Sequence, residues 1–483
     1  MFYILLAAVI LLVQYIGWQL FFGPLADIKG PWLAKLTRIP ELLAVNRGNF
    51  EQWNIELHRK YGPVVCYAPG KFSINTVTAA RELYGSRYKF PKSTFYYAFG
   101  NPDNVQSDLF TEINPKRHAI KRRKIASLFS THEVHQYEPV MDRETLKLCS
   151  RLEEFSQTGK HFNMPDWMQF YAFDVIGELT LGESFNYLGY GYDHNRILEA
   201  IRLTFRYGAH VGVFPELHPI VGGLTQALRL KIPFDIVAKH ILHYMNNKRK
   251  CDESSFLAKL FNLKEKRNLS HMEIFNTVGS NIAAGSDTIS IALSTAFYML
   301  MKNPVSMARL RKEIDAAAAD QPRDEPFSFA QARKLPYLQA CIKEALRIHP
   351  VTASPFVRVV PSGGAIFDGV YFPAGSIIGV NPWTVHYNND VYGPDAASFQ
   401  PERWLQDPSI MTELEKGMLT FGLGSHSCLG KPLAMMQMSK VLSHLVRSFD
   451  FELVDKEQPW STSSMWLVKQ EYHCSVKIRE TQS

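Results

Sequence analysis

A long stretch without proline constrains the fold of this chain more than any other feature. Residues 270 to 303, beginning SHMEIFNTVGSNIAAGSDT, contain no proline, and Pro304 follows them. Ser270 and Glu273 have the spacing of a capping box, which marks the start of a helix. Some thirty residues of helix extend about 50 Å. Because the pattern from 50 to 350 is mostly helical as well, helices are expected to dominate the fold.

Size and composition limit the class of protein. The chain has 483 residues, so either two domains or one large helical domain is possible. Its hydrophobic content of 46% is ample for a core and argues against disorder. The net charge of +7, from 53 basic and 46 acidic residues, is mildly basic and by itself says little about nucleic acid.

Short strands accompany the helices, and the cysteines do not suggest a disulfide framework. Alternating apolar and polar residues predict strands at 62–69, 363–373, 376–383 and 471–478. The fold class is therefore expected to be mainly α with small β-sheets. The cysteines form no CxxC pair and no zinc-type spacing, so reduced thiols are the simplest interpretation; they are Cys66, Cys149, Cys251, Cys341, Cys428 and Cys474.

The N-terminus is strongly apolar. Residues 2–22 carry no charge, and their length suits a helix that crosses a bilayer. A cleaved signal peptide fits less well, because no basic residues precede the run and no small-residue cleavage site follows it cleanly. By the positive-inside rule the rest of the chain is cytoplasmic, since basic residues follow the span: Lys29, Lys35, Arg38 and Arg47. We expect a membrane anchor over 1–23, a linker with proline and glycine over 24–48, and one large domain over 49–483, with the Asn268 sequon unused.

Two motifs on predicted helices are weak evidence for a functional site when each is taken alone. In the long helix, AAGSDT at 283–288 places three small residues before Asp287 and Thr288, which lets a bulky group approach the helix closely. By itself, this motif is better explained by a helix crossing with a solvated aspartate. In the helix predicted at 336–350, Glu344 and Arg347 share a face, but other helices have the same spacing, and such pairs are usually weak surface contacts.

A cysteine inside a glycine-containing loop is the most unusual motif. FGLGSHSCLG, residues 421–430, has glycines on both sides of Cys428 and leads into a helical stretch. An inert buried cysteine is the alternative interpretation. The loop gains significance from its position after FQPERW, residues 399–404, and after the two helical motifs.

The ordered set of AGSDT, EALR, FQPERW and FGLGSHSCLG resembles the cytochrome P450 family, over nearly the whole chain after the N-terminal run. The resemblance implies the cytochrome P450 fold, mainly α with small β-sheets, preceded here by the predicted transmembrane helix. Two further segments, 118–130 and 173–185, are similar to fungal pisatin-demethylase-like enzymes. The implied activity is that of a heme-thiolate monooxygenase, which inserts one oxygen atom from O2 into a lipophilic small molecule by hydroxylation, epoxidation or O-demethylation, in fungal secondary metabolism.

The same resemblance implies a cofactor and partners. The cofactor is heme b with an axial thiolate, and electrons come from NADPH through a cytochrome P450 reductase, with cytochrome b5 as a further donor. The expected location is the endoplasmic reticulum membrane, with a single span and a cytosolic catalytic domain. Nucleic acid is not an expected partner, because no aromatic residues interleave with the basic ones. Two rival functions stay open: a heme-thiolate isomerase or dehydratase that needs no external electrons, and a non-enzymatic heme sensor.

By this resemblance, Cys428 is the metal ligand. An electron-rich thiolate bound to heme iron favours cleavage of the O–O bond. Gly424 and Gly430 are expected to permit a tight turn with backbone N–H groups facing the sulfur, and the following helix adds its positive end. Phe421 is expected to shield the sulfur, as the matching residue does in the family.

Basic residues are assigned to the heme propionates by matching position. They are His118, Arg122, Arg358 and His426, the last standing where most family members carry arginine. A second stripe on the helix of His118 is expected to remain free for an acidic reductase; it consists of Arg117, Lys121 and Lys124. The alternative for this basic run is an ordinary solvated face.

Two polar groups are assigned by the resemblance as well. Asp287 and Thr288 resemble the family's proton-delivery pair, in which the hydroxyl holds a water and the acid resupplies protons. Ile289 departs from the family, where a second hydroxyl residue is common.

The buried ion network that holds the cysteine loop in place is matched by Glu344, Arg347 and Arg403.

Candidate substrate contacts follow from family position. They are Phe95, Phe99, Phe356, Met465 and Trp466. Ordinary core packing explains any one of these side chains equally well. The apolar segment 207–223 is expected to dip into the membrane and to line a route for a lipophilic substrate from the bilayer.

Overall fold

Helices make up most of the structure. The computed structural model describes residues 3, 11, 14, 17, 26–85, 89–100, 107–246, 252–457 and 459–480. The helices in chain order are α1 (Trp32–Leu36), α2 (Ile39–Arg47), α3 (Phe50–Tyr61), α4 (Val77–Gly85), α5 (Pro115–Ile125), α6 (Thr131–His135), α7 (Glu138–Thr158), α8 (Met164–Leu181), α9 (Tyr187–Tyr190), α10 (Ile197–Val211), α11 (His218–Ala227), α12 (Pro233–Asn246), α13 (Phe256–Lys266), α14 (His271–Lys302), α15 (Pro304–Ala317), α16 (Phe329–Ala332), α17 (Pro336–Ile348), α18 (Pro382–His386), α19 (Asn389–Tyr392), α20 (Pro408–Lys416) and α21 (Lys431–Ser448). The mainly α prediction is confirmed.

Short strands form small sheets beside the helices. They are β1 (Val64–Ala68), β2 (Lys71–Ile74), β3 (Phe162–Asn163), β4 (Arg358–Val359), β5 (Ala365–Phe367), β6 (Val370–Phe372), β7 (Ile377–Val380), β8 (Phe449–Leu453), β9 (Ser461–Ser464), β10 (Val468–Glu471) and β11 (His473–Ile478). The largest sheet has the order β1-β2-β7-β4, in which β2 and β7 are parallel and the other pairs antiparallel. The remaining sheets are β3-β11-β8, β9-β10 and β5-β6, all antiparallel. Each of the four segments predicted as strands contains at least one of these strands.

The long helix predicted from the sequence is α14, which is continuous over 32 residues. Its capping box is formed: the Ser270 hydroxyl accepts the Glu273 N–H at 3.0 Å, and the Glu273 carboxylate accepts the Ser270 N–H at 2.8 Å. The helix packs most extensively on α8 and also contacts α17 and α21. Nearly all residues from Ser286 to Tyr298 are buried, so α14 forms the centre of the core.

Proline and glycine define the ends of the helices around α14. Both α7 and α8 carry a proline in the first turn. Backbone N–H groups in the first turn have no acceptor within the helix, so proline costs no hydrogen bond there. Both end at a glycine in the left-handed conformation, Gly159 with φ 64° and Gly182 with φ 82°. The same sequence signals therefore define both ends of α7 and α8.

The predicted membrane anchor lies largely outside the described residues. Only four positions of 1–23 are described. Among the described helices, none is both long and apolar enough to cross a membrane. The segment predicted as a linker, 24–48, contains α1 and α2, and both contact β1 at the edge of the largest sheet.

Candidate active site

The loop before α21 places Cys428 at the base of the site. The Cys428 N–H donates to the Phe421 carbonyl at 2.8 Å, which closes the loop. Gly424 has φ 61°, and a Cβ at this position would lie 2.3 Å from the Tyr84 carbonyl oxygen, so both its backbone and its surroundings require glycine. Gly430 differs: its φ is −76°, and a Cβ there would lie 3.7 Å from the Cys428 sulfur, an ordinary contact. The special backbone conformation of glycine is therefore needed at Gly424 and not at Gly430, whose backbone N–H faces the Cys428 sulfur as expected.

The surroundings of Cys428 have opposing effects on the pKa of its thiol. The side chain is accessible to solvent, although enough protein surrounds the thiol to desolvate it. Desolvation raises the pKa of the thiol, while the N–H of Gly430, the Arg122 guanidinium and the N–H of Lys431 oppose that rise. The two N–H groups come from the start of α21, as expected from the sequence, and Arg122 comes from α5. A metal cation bound to the sulfur removes the proton outright.

The four residues assigned to the heme propionates do come together. The imidazoles of His118 on α5 and His426 in the cysteine loop are stacked, with ring centroids 4.2 Å apart. Arg122 donates to the Ser427 carbonyl at 2.7 Å, next to Cys428. Arg358 in β4 is buried, and its guanidinium lies over the Tyr84 ring at 5.1 Å.

This cluster is strongly positive. Desolvation and then the neighbouring cations lower the pKa of His118 to about 3 and that of His426 to about 2. One of those cations is Lys92, which the sequence analysis missed because nothing in its local pattern marks it. In the part of the chain that the structure describes, no carboxylate forms an ion pair with these two imidazoles or with Arg122 and Arg358. The two imidazoles are therefore neutral donors, and the positive charge belongs to the buried Arg358 and the half-buried Arg122. Such a group without counter-charge fits the two carboxylates of a heme.

The ion network predicted from EALR and FQPERW is present. Arg347 and Glu344, both fully buried, form a bidentate pair with distances of 2.7 and 2.8 Å. Arg403 reaches the same carboxylate at 3.5 Å, and the Trp404 indole N–H donates to it at 2.8 Å. All remaining Arg347 donors bind backbone carbonyls, so the network is satisfied without water.

His386 on α18 connects this network to the cysteine loop. Its Nδ1 faces the Arg347 carbonyl at 2.9 Å, and its Nε2 accepts the Leu419 N–H at 3.0 Å. Burial and the Arg347 charge lower the pKa of His386 to about 3, which keeps the imidazole neutral and able to accept. The sequence analysis did not find His386, because its partners lie far away in the chain.

Asp287 and Thr288 lie on α14 but face different surroundings. The Thr288 hydroxyl donates to the Ala284 carbonyl at 2.6 Å. The Asp287 carboxylate is buried and accepts from Lys469 at 2.9 Å and from Gln169 at 2.5 Å. The aspartate is therefore paired rather than solvated. A Cβ at Gly285 would lie 2.9 Å from Ile176 of α8, so this glycine serves a helix crossing.

The candidate substrate residues separate into groups. Phe95 and Phe99 lie with their ring centroids 5.5 and 5.3 Å from that of Trp466. This group also contains Phe110, at 5.5 Å from Trp466, and it packs on Ile291 of α14, one turn after Thr288. Two candidates are not brought into it: Phe356 packs on Tyr84, and Met465 packs on a separate core cluster.

The second basic stripe of α5 is not free. Arg117 and Lys121 both pair with the buried Glu112 at 3.2 Å, and Lys124 pairs with Glu273 at 2.7 Å. The expectation that these residues remain available for a partner is therefore wrong. The exposed side chains of α5 are instead Lys116, Ile120 and Arg123.

Comparison with known proteins shows the family of the chain. The family model for cytochrome P450 matches residues 31–478, and the chain belongs to the cytochrome P450 family. Two pisatin demethylases of Fusarium vanettenii are 34% and 35% identical to it over 470 residues, covering 95% of this chain and 91% and 90% of theirs. The cytochrome P450 monooxygenase cicH of Emericella nidulans is 33% identical over 456 residues, which cover 92% of each chain.

Family membership defines the chemistry in general terms. The protein is a cytochrome P450 monooxygenase, an oxidoreductase that incorporates oxygen from O2. Its cofactor is heme with a thiolate ligand, and its electrons come from a redox partner, typically from NADPH through a reductase.

Proposed function

We propose that this protein inserts one oxygen atom from O2 into an uncharged, lipophilic small molecule of fungal secondary metabolism, at a heme iron bound by Cys428. One observation carries the proposal: the Cys428 side chain is accessible to solvent, and the basic cluster of His118, Arg122, Arg358 and His426 lies beside it without a carboxylate partner. The heme iron supplies the activation of O2 when bound. The chain orients the cofactor and admits the substrate and protons.

The chain holds the cofactor by two sets of contacts. N–H groups at the start of α21 and the Arg122 charge favour the thiolate of Cys428. The cluster described above would hold the propionate carboxylates by charge-assisted hydrogen bonds. Phe421, whose carbonyl accepts the Cys428 N–H, is assigned to shield the sulfur, and the Glu344 network would support the loop through His386.

Proton supply is assigned to Asp287 and Thr288. The Thr288 hydroxyl lies on α14 one turn before Ile291, which borders the aromatic group. Lys469 and Gln169 donate hydrogen bonds to the Asp287 carboxylate, and the Lys469 side chain is one-third exposed. This arrangement supports a route by which protons enter from solvent. It favours monooxygenation over isomerisation, which requires no such supply.

The aromatic group is the proposed substrate contact. Phe95, Phe99, Phe110 and Trp466 offer rings and no charged group, which suits an apolar ligand. Hydroxylation, epoxidation and O-demethylation are all compatible with it. Because two relatives are named as demethylases of pisatin, O-demethylation is the first reaction to test.

A membrane location is proposed for the protein, at the endoplasmic reticulum with the domain in the cytosol. Segment 207–223 exposes apolar side chains, including Leu217 and Ile220, at 45% and 57%. Arg38, just after α1, donates to the Val213 carbonyl at 3.1 Å, so the N-terminal segment and this surface are joined. Such a surface suits contact with lipid and uptake of a lipophilic substrate from the bilayer. Protease treatment of sealed microsomes checks the topology, and full protection of the domain would contradict it.

The ligand assignment is tested by the carbon monoxide spectrum of the ferrous protein. Wild type is expected to show the strongly red-shifted Soret band of thiolate ligation, and Cys428→Ala is expected to lose it. Cys149→Ala, which removes a buried thiol of the core, is the matched control and should keep the band. A band that survives in Cys428→Ala excludes this cysteine as the ligand.

The reaction class is tested by NADPH oxidation in the presence of a reductase. A monooxygenase consumes NADPH with its substrate, an isomerase converts its substrate without NADPH, and a sensor forms no product. Thr288→Val keeps the shape of the side chain and removes the hydroxyl, so it should release more hydrogen peroxide per NADPH. If its peroxide yield equals that of wild type, Thr288 only bonds the Ala284 carbonyl.

A further inference from the structure

Glu51, in the first turn of α3, has a buried carboxyl group that takes no part in the site described above. The residue is fully buried, and neither of its carboxyl oxygens has a hydrogen-bond partner among the described residues. Asn54, one turn later on the same face of the helix, is fully buried as well and leaves its Nδ2 unpartnered. An ionised carboxylate in such surroundings is costly, so Glu51 is expected to be neutral in the folded protein.

The groups around Glu51 include no cation that would compensate its charge. Desolvation raises the pKa of Glu51, and only the Ser464 hydroxyl and the Glu51 N–H oppose that rise. The elements packed against α3 are α2, β1 and α18. Their titratable or charged groups, with the residue that follows α18, are Glu41, Arg47, Cys66, Tyr67, His386 and Tyr387.

These neighbouring groups are paired, exposed or uncharged. Glu41 is paired with Lys71 at 2.9 Å, and Arg47 is exposed. Burial raises the pKa of the Cys66 thiol and of the two phenols and lowers the pKa of His386, so all four are uncharged at neutral pH. On α3 itself, burial lowers the pKa of His58 to about 4, and the charged residues Glu56, Arg59 and Lys60 are exposed. The β9–β10 hairpin adds Lys469, which pairs with Asp287, and the exposed Glu471.

Glu51 lies where the β9–β10 hairpin docks on α3. The Ser464 hydroxyl, at the end of β9, accepts the Phe50 N–H at 3.3 Å, and the Ser464 N–H donates to the Gly48 carbonyl at 2.8 Å. Two residues later, Trp466 lies in the turn of the hairpin and belongs to the aromatic group. Ser464 therefore connects Glu51 to the turn that carries a proposed substrate contact.

We propose that Glu51 is a positioning residue for Trp466 and that it acts through one proton. With the proton bound, Glu51 is neutral and lets Ser464 dock on α3, which holds the turn of the hairpin in the aromatic group. Without the proton, the carboxylate is hydrated only when the end of β9 moves away from α3. The role in substrate binding rests on the aromatic group being the substrate contact, as described under the proposed function.

The direction of the pH effect follows from linkage. Burial raises the pKa of Glu51 in the docked state above its ordinary value of 4.5, so the docked state binds the proton more tightly than a state with a hydrated carboxyl group. Docking of the hairpin is therefore favoured at low pH and is lost as the pH rises through the raised pKa. Buried neutral histidines such as His58 and His349 act in the opposite direction, because they destabilise the protein in acid.

Hydrogen exchange of the full-length holoenzyme, followed by mass spectrometry, tests this role without any measurement of activity. In wild type, the protection factor of segment 461–468 should be about tenfold lower at pH 8 than at pH 5, which corresponds to about 1.4 kcal/mol. Glu51→Gln cannot ionise, so its protection should be the same at both pH values. Glu56→Gln, at an exposed glutamate of α3, is the matched control and should behave as wild type. Equal protection at the two pH values in wild type, or a pH effect that persists in Glu51→Gln, would overturn the proposal.

Exchange in α8 separates local undocking from a change in global stability. Protection of α8 should not fall at pH 8; a loss there as large as in the hairpin would mean that Glu51 acts on the whole fold, and would overturn the proposal. If Glu51→Gln does not fold, Glu51→Met, which is similar in length and uncharged, is measured in the same way. The carbon monoxide band of the same samples reports Cys428 ligation independently, so failure of this proposal and of the proposed function are distinguishable.

Discussion

At the residue scale, two glycines that look equivalent in the sequence of the cysteine loop have different roles. Gly424 adopts a left-handed backbone conformation against the Tyr84 carbonyl, whereas Gly430 has an ordinary backbone and space for a side chain. The difference arises because α4, which ends in Tyr84 and Gly85, packs directly on the loop at Gly424. The loop is therefore expected to tolerate a side chain at Gly430 but not at Gly424.

We expect Gly424→Ala to be far more damaging than Gly430→Ala. Forcing an alanine into the left-handed region at Gly424 costs about 1–3 kcal/mol before the contact with the Tyr84 carbonyl is relieved. Alanine at the start of α21, in place of Gly430, should cost under about 1 kcal/mol. Urea unfolding of the two variants measures both values, together with the heme content after purification. Equal losses in the two variants would contradict the described loop.

At the element scale, the β9–β10 hairpin is fastened to α14 at two points. Lys469 pairs with Asp287, and the adjacent Gln470 donates to the Ile291 carbonyl and to the Thr295 hydroxyl, at 3.2 and 2.6 Å. Trp466, in the turn of the same hairpin, lies in the aromatic group. The hairpin thus holds both the proposed proton donor and a proposed substrate contact.

Removal of the Lys469 charge should destabilise the protein. Lys469→Met leaves a buried carboxylate without its cation, a change that costs about 3–5 kcal/mol in fully buried pairs. Because the Lys469 side chain is one-third exposed, we expect a loss of about 2 kcal/mol in the free energy of unfolding. Urea unfolding measures the difference. In the control double variant Lys469→Met/Asp287→Asn, which removes both charges, most of this loss should be recovered; an equal loss would place the cause elsewhere.

A second element-scale prediction concerns α5 and the redox partner. On α5, the exposed Lys116 and Arg123, rather than the paired Arg117 and Lys121, are the cations that an acidic reductase would meet. Charge reversal in Lys116→Glu/Arg123→Glu should slow heme reduction about tenfold at low ionic strength, and added salt should weaken the wild-type rate. Stopped-flow reduction measures both effects. Lys477→Glu, on an exposed lysine of β11, is the control, and equal slowing there would point to net charge rather than docking.

At the scale of the whole molecule, several histidines are buried in the neutral form. Desolvation lowers the pKa of His58, His349 and His444 to about 4 and that of His386 to about 3. In the unfolded chain each imidazole binds its proton near pH 6.5. Protons therefore bind preferentially to the unfolded state between these values. The folded state retains its full stability above pH 6.5 and loses it as the pH falls.

Acid should accordingly lower the free energy of unfolding, by up to about 1.4 kcal/mol per pH unit for each such histidine below pH 6.5. His349, whose Nε2 lies 2.8 Å from the Val468 carbonyl, is the residue to test. His349→Gln keeps an N–H donor and cannot titrate, so its unfolding free energy should fall less steeply between pH 6.5 and 4. Urea unfolding across this range measures the slope. His161→Gln, at an exposed histidine, is the control. If the unfolding free energy of His349→Gln falls with pH as steeply as that of wild type, His349 does not contribute to the acid destabilisation.

Features that depend on local pattern could be predicted from the sequence. The capping box of α14, the glycine loop before α21, and the Glu344–Arg347 pair involve residues only a few positions apart. Backbone geometry brings such residues together wherever the element forms. For the same reason the mainly α class and the strand segments followed from periodicity.

Contacts between groups far apart in the chain could be seen only in the tertiary structure. Helical spacing predicted that Arg117 and Lys121 share a stripe, but only packing placed the buried Glu112 against them. Likewise, Lys469 reaches Asp287 from 182 positions away, and the pairing of Lys92 with Arg358 joins segments from opposite halves of the chain. Periodicity shows which face of an element is apolar or charged, but not which element covers it, because that contact is fixed by packing of the whole core.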